Sequence, residues 1–171
     1  MGLPTARSRD EAHLYLDLTP CATCDSVETD WQHGQALVDG ELVSAYDGRC
    51  AGCGAEREYF FRLPNQEVGG EFPAFGGDEP SDLIDAGRWL ALADQLASNL
   101  PPHDPEASAQ ALAIAAAAVG EVLKFIPRDE YVVPASAFWT AEGLRVRDAE
   151  PGRFRRERLE VVLGTYRGLS E

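Results

Sequence analysis

The sequence is poor in positive charge. Its 15 basic residues include a single lysine, Lys124, and face 29 acidic residues, so the formal net charge is −14. No basic residue lies between Arg62 and Arg88. Because phosphate backbones repel such a surface, the composition argues against nucleic acid as a partner. The preference for arginine over lysine, together with abundant alanine, indicates the codon bias of a high-GC bacterial source.

Catalytic motifs are missing as well. The sequence has no G-x-S-x-G nucleophile motif, and Gly69-Gly70 and Gly76-Gly77 lack the strand-to-helix context of a phosphate-binding loop. No nucleophile and base stand in a recognisable arrangement. We therefore predict that the protein is not an enzyme. An enzyme with its site in the helical part is an alternative.

Long apolar runs are also missing. The longest, residues 111–119, is mostly alanine and is shorter than the roughly 20 residues that span a bilayer, so it predicts a packed helix. Residues 1–9 lack the apolar segment of a secretory signal. We expect a cytoplasmic protein with no membrane partner.

The sequence does contain two C-x-x-C pairs, which hold all four of its cysteines. Four thiolates in two such pairs are typical of a tetrahedral zinc site, with Zn–S bonds of about 2.3 Å. We predict one Zn²⁺ bound by Cys21, Cys24, Cys50 and Cys53. The ion would be structural, because no ligand position remains for water or substrate.

Other uses of the four cysteines stay open. Two disulfides would require an oxidising compartment, a redox motif needs only one C-x-x-C pair, and iron–sulfur clusters usually use other spacings. His33 lies between the two pairs. Since four sulfurs already complete a tetrahedron, we interpret His33 as a surface residue and not as a spare ligand.

The residues around the cysteines predict β-structure. Alternating leucines predict a strand over residues 13–18, and residues 58–63 predict another. Asp39-Gly40 between two apolar runs predicts a hairpin. The order of strand, cysteine pair, hairpin, cysteine pair and strand over residues 12–63 resembles a zinc ribbon. That resemblance implies the fold and the metal but no single function.

The rest of the chain predicts mainly helices. We expect one from the Asp85 cap to about Asn99, one from the Asp104 cap to about Phe125, and one over about residues 151–166. Residues 131–133 and 137–139 suggest short strands, and Glu142-Gly143 a turn. The predicted fold class is α+β, with an N-terminal β-rich zinc ribbon packed on a mostly α-helical C-terminal part. The predicted domains are residues 1–63, an acidic Gly/Pro-rich linker at 64–80, and residues 81–171.

Two charged segments suggest partners. Acidic residues in and after the linker predict a docking surface for a basic protein, since complementary charge speeds association: Glu67, Glu71, Asp78, Glu79, Asp82 and Asp85. A solubilising loop is the alternative. The arginine-rich residues 153–158 suggest nucleic acid, but the interleaved Glu157 fits a solvated helix face.

Residues 80–90 and 151–159 resemble segments of uncharacterised actinobacterial and myxobacterial zinc-ribbon proteins. Such proteins are similar to ones encoded beside polymorphic toxins. The resemblance implies an immunity protein, a small acidic binder that neutralises a toxin. We therefore predict a non-enzymatic, zinc-stabilised acidic protein that binds a partner protein. The alternative is a zinc-ribbon nucleic-acid-binding or transcription-associated factor.

Overall fold

The structure is a computed structural model that describes residues 2–171, and its fold is α+β. The chain divides into two compact units, one ending at Gly76 and the other starting at Gly77. The first unit holds α1 (Arg9–Asp17), β1 (Gln32–Val38), β2 (Glu41–Arg49) and β3 (Glu56–Arg62). The second holds α2 (Ala86–Ser98), α3 (Pro105–Lys124), α4 (Ala141–Ala149) and α5 (Arg156–Ser170), with short 3-10 turns at Ala135–Ala137 and Pro151–Phe154.

The three strands form one antiparallel sheet in the order β1-β2-β3. The predicted hairpin is confirmed: Val38 pairs with Glu41, and Asp39 and Gly40 form the turn with φ angles of 52° and 82°. Two consecutive positive φ values define the turn that matches the twist of the flanking strands. The predicted strand at residues 58–63 is also confirmed, as β3.

The predicted strand at residues 13–18 is wrong, because this segment lies in helix α1 and its end. The Ser8 side chain caps the helix by accepting a hydrogen bond from the Glu11 amide at 3.0 Å. Glu11 in turn accepts hydrogen bonds from the Arg7 amide at 2.8 Å and the Arg7 guanidinium at 2.7 Å. Ser8 and Glu11 have the spacing of a capping box, which favours a helix start over the leucine alternation.

Helix α1 packs on one face of the sheet through aromatic side chains. The Tyr15 ring makes edge-to-face contacts with Tyr59 and Phe61, at centroid distances of 6.2 and 5.7 Å. Leu16 is completely buried, and Phe61 and Tyr46 are also buried. Aromatic pairs in this geometry stabilise a core beyond their buried area. The first unit therefore has its own hydrophobic core between α1 and the sheet.

Two helices of the second unit, α2 and α3, begin where the sequence predicts, whereas the helix predicted from about residue 151 is a 3-10 turn followed by α5 from Arg156. Asp85 caps α2 and Asp104 caps α3, each accepting a hydrogen bond from an amide three residues further on, and Pro105 occupies the first turn of α3. Helix α3 packs against both α2 and α5. Its buried residues form one stripe: Leu112, Ala115, Ala116, Ala118, Val119, Glu121 and Val122.

Helix α3 has 20 residues and is the one helix within residues 2–171 that is long and apolar enough, by those criteria alone, to cross a membrane. Its bounds match the helix predicted from the Asp104 cap to about Phe125. Core helices of globular domains meet the same criteria. The buried stripe of α3 against two neighbouring helices is the pattern of such a core helix.

Residues 131–149 differ from the prediction. Val132 forms only an isolated bridge with Arg155, and the second predicted strand is replaced by a 3-10 turn at Ala135–Ala137. The predicted turn at Glu142-Gly143 is instead the first turn of α4, capped by Thr140. These apolar runs are too short for their alternation to outweigh the capping residue that follows.

Asp85 joins α2 to the start of α4. Its Oδ1 accepts a hydrogen bond from the Arg88 amide at 2.9 Å. Its Oδ2 accepts bonds from the amides of Trp139 and Thr140 and from the Thr140 hydroxyl, at 2.7–3.1 Å. A Cβ on Gly143 would overlap the Asp85 carboxylate. The carboxylate is completely buried, so every one of these bonds replaces water.

We expect Asp85→Ala to lower the free energy of unfolding by about 3 kcal/mol or more. The substitution removes a helix cap, worth about 1 kcal/mol, and leaves buried donors on two residues without an acceptor, at about 1–3 kcal/mol each. Asp104→Ala is the matched control, because Asp104 is an exposed cap with one such bond, and its loss should cost about 1 kcal/mol. Urea denaturation followed by circular dichroism measures both values. Equal losses would contradict the role assigned to Asp85.

Candidate metal centre

The two C-x-x-C pairs fold into loops with the same backbone pattern. In the first, the Cys21 amide donates to the Ser26 carbonyl and the Asp25 amide donates to the Cys21 carbonyl. In the second, the Cys50 and Gly54 amides make the equivalent bonds. Asp25 and Gly54 both have positive φ, at 61° and 75°. Each pair therefore lies on a tight turn that directs its two sulfurs to the same side.

The four sulfur atoms form one compact cluster. All lie within 4.8 Å of one another, with 3.5 Å between Cys24 and Cys50 and 3.8 Å between Cys21 and Cys53. A tetrahedron with metal–sulfur bonds of about 2.3 Å has edges of about 3.8 Å. Disulfide sulfurs lie about 2.05 Å apart, and all four cysteines are free. The sulfurs are thus positioned to bind one metal ion.

Backbone amides prepare two of the cysteines for this role. The amides of Thr23 and Cys24 lower the pKa of Cys21 to about 6. The amides of Cys53 and Gly52 point at the Cys50 sulfur in the same way, and its pKa is also lowered. A sulfur that receives such hydrogen bonds is stabilised as the thiolate, which is the form that binds metals.

The Cys24 sulfur shows why the cluster needs a cation. The Ser26 amide lowers the pKa of Cys24, but the Cys50 sulfur, burial, and the sulfurs of Cys53 and Cys21 together raise it to about 12. Like charges this close disfavour one another, so four thiolates cannot accumulate by themselves. A divalent cation among the sulfurs removes that conflict. The donor set and its spacing therefore fit a metal ion.

Contacts between the two loops fix their separation. Thr29 and Cys50 form an isolated antiparallel β-bridge, and the Ala51 amide donates to the Glu28 carbonyl at 2.9 Å. A Cβ on Gly52 would lie 2.9 Å from the Cys24 sulfur and 3.0 Å from the Ser26 Cβ. The approach of the loops therefore requires glycine at position 52.

His33 is not part of the metal centre. The donor cluster consists of the four cysteines, and the exposed His33 ring instead lies against Tyr46, with centroids 4.7 Å apart. The interpretation of His33 as a surface residue is thus confirmed. With four sulfurs in place, a tetrahedral ion has no open position for a fifth ligand.

Comparisons with protein-family models, curated proteins and solved structures found no match. The assignment of the metal centre therefore depends on its geometry alone. The resemblance to zinc ribbons and to toxin-associated proteins stays a prediction.

The buried Arg57 holds the segments next to the first cysteine pair. Its guanidinium donates to the Thr19 carbonyl at 2.7 Å and to the Thr29 hydroxyl at 3.0 Å. It also lies 4.9 Å from the centroid of the Trp31 ring. A cation over an indole ring is attracted to its π-face, more strongly when desolvated. Arg57 therefore connects β3 to both ends of the first metal-binding loop.

Beside the metal centre lies an acidic groove, a cavity of about 600 Å³ lined by Asp30, Gln32, Asp47, Gly48, Arg49, Glu56, Arg57 and Glu58. Strand register places Gln32 opposite Asp47, and Asp47 opposite Glu58. Two carboxylates directly opposite each other destabilise a sheet. This groove is not evident from the sequence, because its acids come from different strands and only the strand register brings them together.

The acidic residues predicted as a docking surface are divided between the two units. Glu67 and Glu71 are exposed in the first unit, while Asp78, Glu79 and Asp82 are exposed in the second. Asp85 is completely buried and is used within the fold, so including it in a docking surface was wrong. The predicted role of Asp85 as a helix cap is confirmed, but its burial depends on Trp139 and Thr140, which lie far along the chain.

The arginine-rich residues 153–158 have partners within the second unit. Arg153 forms two hydrogen bonds with Asp94, at 2.6 and 2.8 Å, and Arg158 pairs with Glu150 at 3.1 Å. Arg156 donates to backbone carbonyls of Pro127 and Glu130. These guanidinium groups connect helices and loops, which weakens the reason for assigning them to nucleic acid.

We expect Gly52→Ala to weaken metal binding by about tenfold or more, because the added methyl group would displace the Cys24 sulfur from its position. Gly34→Ala is the matched control: Gly34 lies in β1, and a Cβ there meets no atom within 4 Å. Competition with a chromogenic chelator measures both affinities. Equal affinity for the two variants would contradict the requirement for close approach.

Proposed function

We propose that the four cysteines bind one zinc ion and that this ion is structural. The observation that carries the proposal is the convergence of Cys21, Cys24, Cys50 and Cys53 to within 4.8 Å. Four thiolates at tetrahedral spacing are the preferred ligands of structural zinc. All four ligands come from two short loops joined by few backbone bonds, so the ion would supply much of the stability of this region.

Metal analysis of the purified protein tests this proposal. We expect elemental mass spectrometry to give one zinc ion per chain. The zinc-loaded protein should show no absorption at visible wavelengths. One iron ion per chain with a coloured thiolate spectrum would overturn the choice of zinc. Removal of the ion by a chelator should unfold residues 21–57, which would be seen as loss of their dispersed amide resonances.

Replacement of one ligand provides the matched comparison. Cys24→Ser should lower metal affinity by at least about 100-fold, since changes outside the ligand set already cost 10–100-fold. Thr23→Ala is the control, because Thr23 directs only its backbone amide to Cys21 and its side chain is exposed. Isothermal titration with Zn²⁺ measures both. Unchanged stoichiometry and affinity in Cys24→Ser would contradict the ligand assignment.

We also propose that the protein binds a basic partner protein and is not an enzyme. Support comes from the acidic groove beside the metal centre, where Asp47 lies directly opposite Glu58. This arrangement costs stability in the free protein, and a cationic side chain of a partner would relieve it. A structural ion with a complete ligand shell provides no catalytic position.

The toxin-associated resemblance suggests the class of partner. A small acidic protein that covers a basic cleft would neutralise an enzyme that acts on nucleic acid, by occupying the surface that attracts phosphate. The net charge of −14 suits rapid association with such a surface. The groove of the first unit gives this charge a concave shape that can accept a protruding arginine or lysine.

Charge-neutralising variants distinguish the groove from the exposed acids of the linker. Asp47→Asn with Glu58→Gln should weaken the complex with the product of the adjacent gene by about tenfold or more. The control, Glu67→Gln with Glu71→Gln, changes net charge by the same amount outside the groove and should change affinity by less than about threefold. Titration calorimetry at physiological salt measures both. Absence of a complex at micromolar concentration would contradict the proposed partner, and equal effects would contradict the groove.

The same groove variant should make the free protein more stable. Removing the repulsion between Asp47 and Glu58 is expected to raise the free energy of unfolding by about 0.2–1 kcal/mol. Urea denaturation of the metal-loaded protein measures this difference. A loss of stability would show that these carboxylates serve the fold and not a partner.

A further inference from the structure

A second cavity of the first unit combines charged, polar and apolar groups in its lining. It has a volume of about 540 Å³ and lies between the start of α1, the sheet and residues 63–69. Polar groups line one part of it, and apolar side chains line the rest. No role in metal binding or in the proposed docking surface accounts for this cavity.

Tyr46 is the polar group that most needs explanation. The residue is 2% exposed, and its ring is surrounded by the rings of His13, His33 and Phe61 at centroid distances of 4.7–5.8 Å. Its hydroxyl makes no hydrogen bond with any residue in the described part of the chain, and the side chain lines the cavity. The hydroxyl oxygen itself is open to the cavity, where solvent can satisfy it. The hydroxyl is thus an available donor or acceptor inside the cavity.

Arg9 places a positive charge close to this hydroxyl. Burial raises the pKa of Tyr46, which keeps the phenol protonated, and the charge of Arg9 partly offsets the rise. Arg9 lines the same cavity and forms no ion pair with any of residues 2–171. A protonated phenol and a guanidinium together provide donors suited to an oxyanion.

Further donors and an apolar wall complete the cavity. The His33 Nε2 and the Ser44 hydroxyl lie 3.4 Å apart, a long contact that leaves both groups able to bond elsewhere. Leu63, Pro64 and Val68 line the apolar side. Glu67 also lines the cavity; like Arg9 it is exposed, so water screens both charges and binding depends on direct hydrogen bonds to the ligand.

We propose that this cavity binds a small organic anion. Its carboxylate or phosphate oxygens would accept hydrogen bonds from the Arg9 guanidinium and the Tyr46 hydroxyl, with His33 and Ser44 within the same lining. Its apolar body would pack on the side formed by Leu63 and Val68. A mostly apolar pocket with a few convergent polar groups is the usual form of a small-molecule site.

Three probes of similar shape test the proposal on the full-length, metal-loaded protein: benzoate, phenyl phosphate and the neutral benzamide. Amide chemical shifts recorded during each titration give both location and affinity. We expect at least one anion to bind with a Kd on the order of 1 mM or tighter and to shift resonances of residues 6–12, 33–46 and 63–69. Benzamide should bind at least about tenfold more weakly. Absence of these shifts with both anions, or equal binding of benzamide, would overturn the proposal.

Variants assign the contacts. Tyr46→Phe and Arg9→Gln should each weaken anion binding by about fivefold or more. Tyr59→Phe and Arg145→Gln are the matched controls, because neither residue lines the cavity and Arg145 is likewise an exposed arginine without an ion pair. Tyr46→Phe should also keep the thermal stability of the free protein, since it removes a solvent-accessible hydroxyl that bonds to no other residue in the described part of the chain. Anion affinity that is the same in Tyr46→Phe and Arg9→Gln as in the controls would overturn the assignment.

Discussion

Four sulfur atoms held within 4.8 Å of one another are stable as thiolates only with a cation among them. The rest of the first unit is arranged around that requirement. Two loops direct amides at the sulfurs, Gly52 lets the loops approach, and Arg57 ties the flanking segments to β3. These contacts hold the four ligands at the spacing that one tetrahedral ion requires.

Each unit contains a buried charged side chain that joins segments distant in sequence. Arg57 accomplishes this in the first unit through two hydrogen bonds and a contact with Trp31. Asp85 does so in the second, where it accepts bonds from α2 and from the start of α4. A buried charge is tolerated when its hydrogen-bonding capacity is satisfied. Both residues therefore serve the fold, although each is of a type that sequence analysis assigns to surfaces.

The first unit presents two concave sites of different charge. The acidic groove gathers carboxylates from neighbouring strands, while the cavity at Tyr46 gathers an arginine, a histidine and hydroxyl groups. In a protein with a net charge of −14, the acidic groove has the sign of the overall charge, whereas the second cavity is lined by charges of both signs. A basic protein would be attracted from a distance, whereas a small anion would be held by close contacts alone. The two proposed ligands would thus bind at separate sites, the basic protein aided by long-range attraction and the small anion held by short-range contacts.

The sequence by itself determined the features that depend on neighbouring residues. The cysteine spacing predicted the four-sulfur cluster, Asp39-Gly40 predicted the hairpin, and Asp85 and Asp104 predicted two helix starts, because each signal acts within a few residues. The tertiary structure decided what depends on distant contacts: that residues 9–17 pack on the sheet as a helix, that Asp85 is buried, and that strand register places Asp47 opposite Glu58. Alternating leucines fit a strand or part of a helix, and a capping carboxylate can be either exposed or buried. Such choices are settled by the partners that folding brings together, and these lie far apart in the chain.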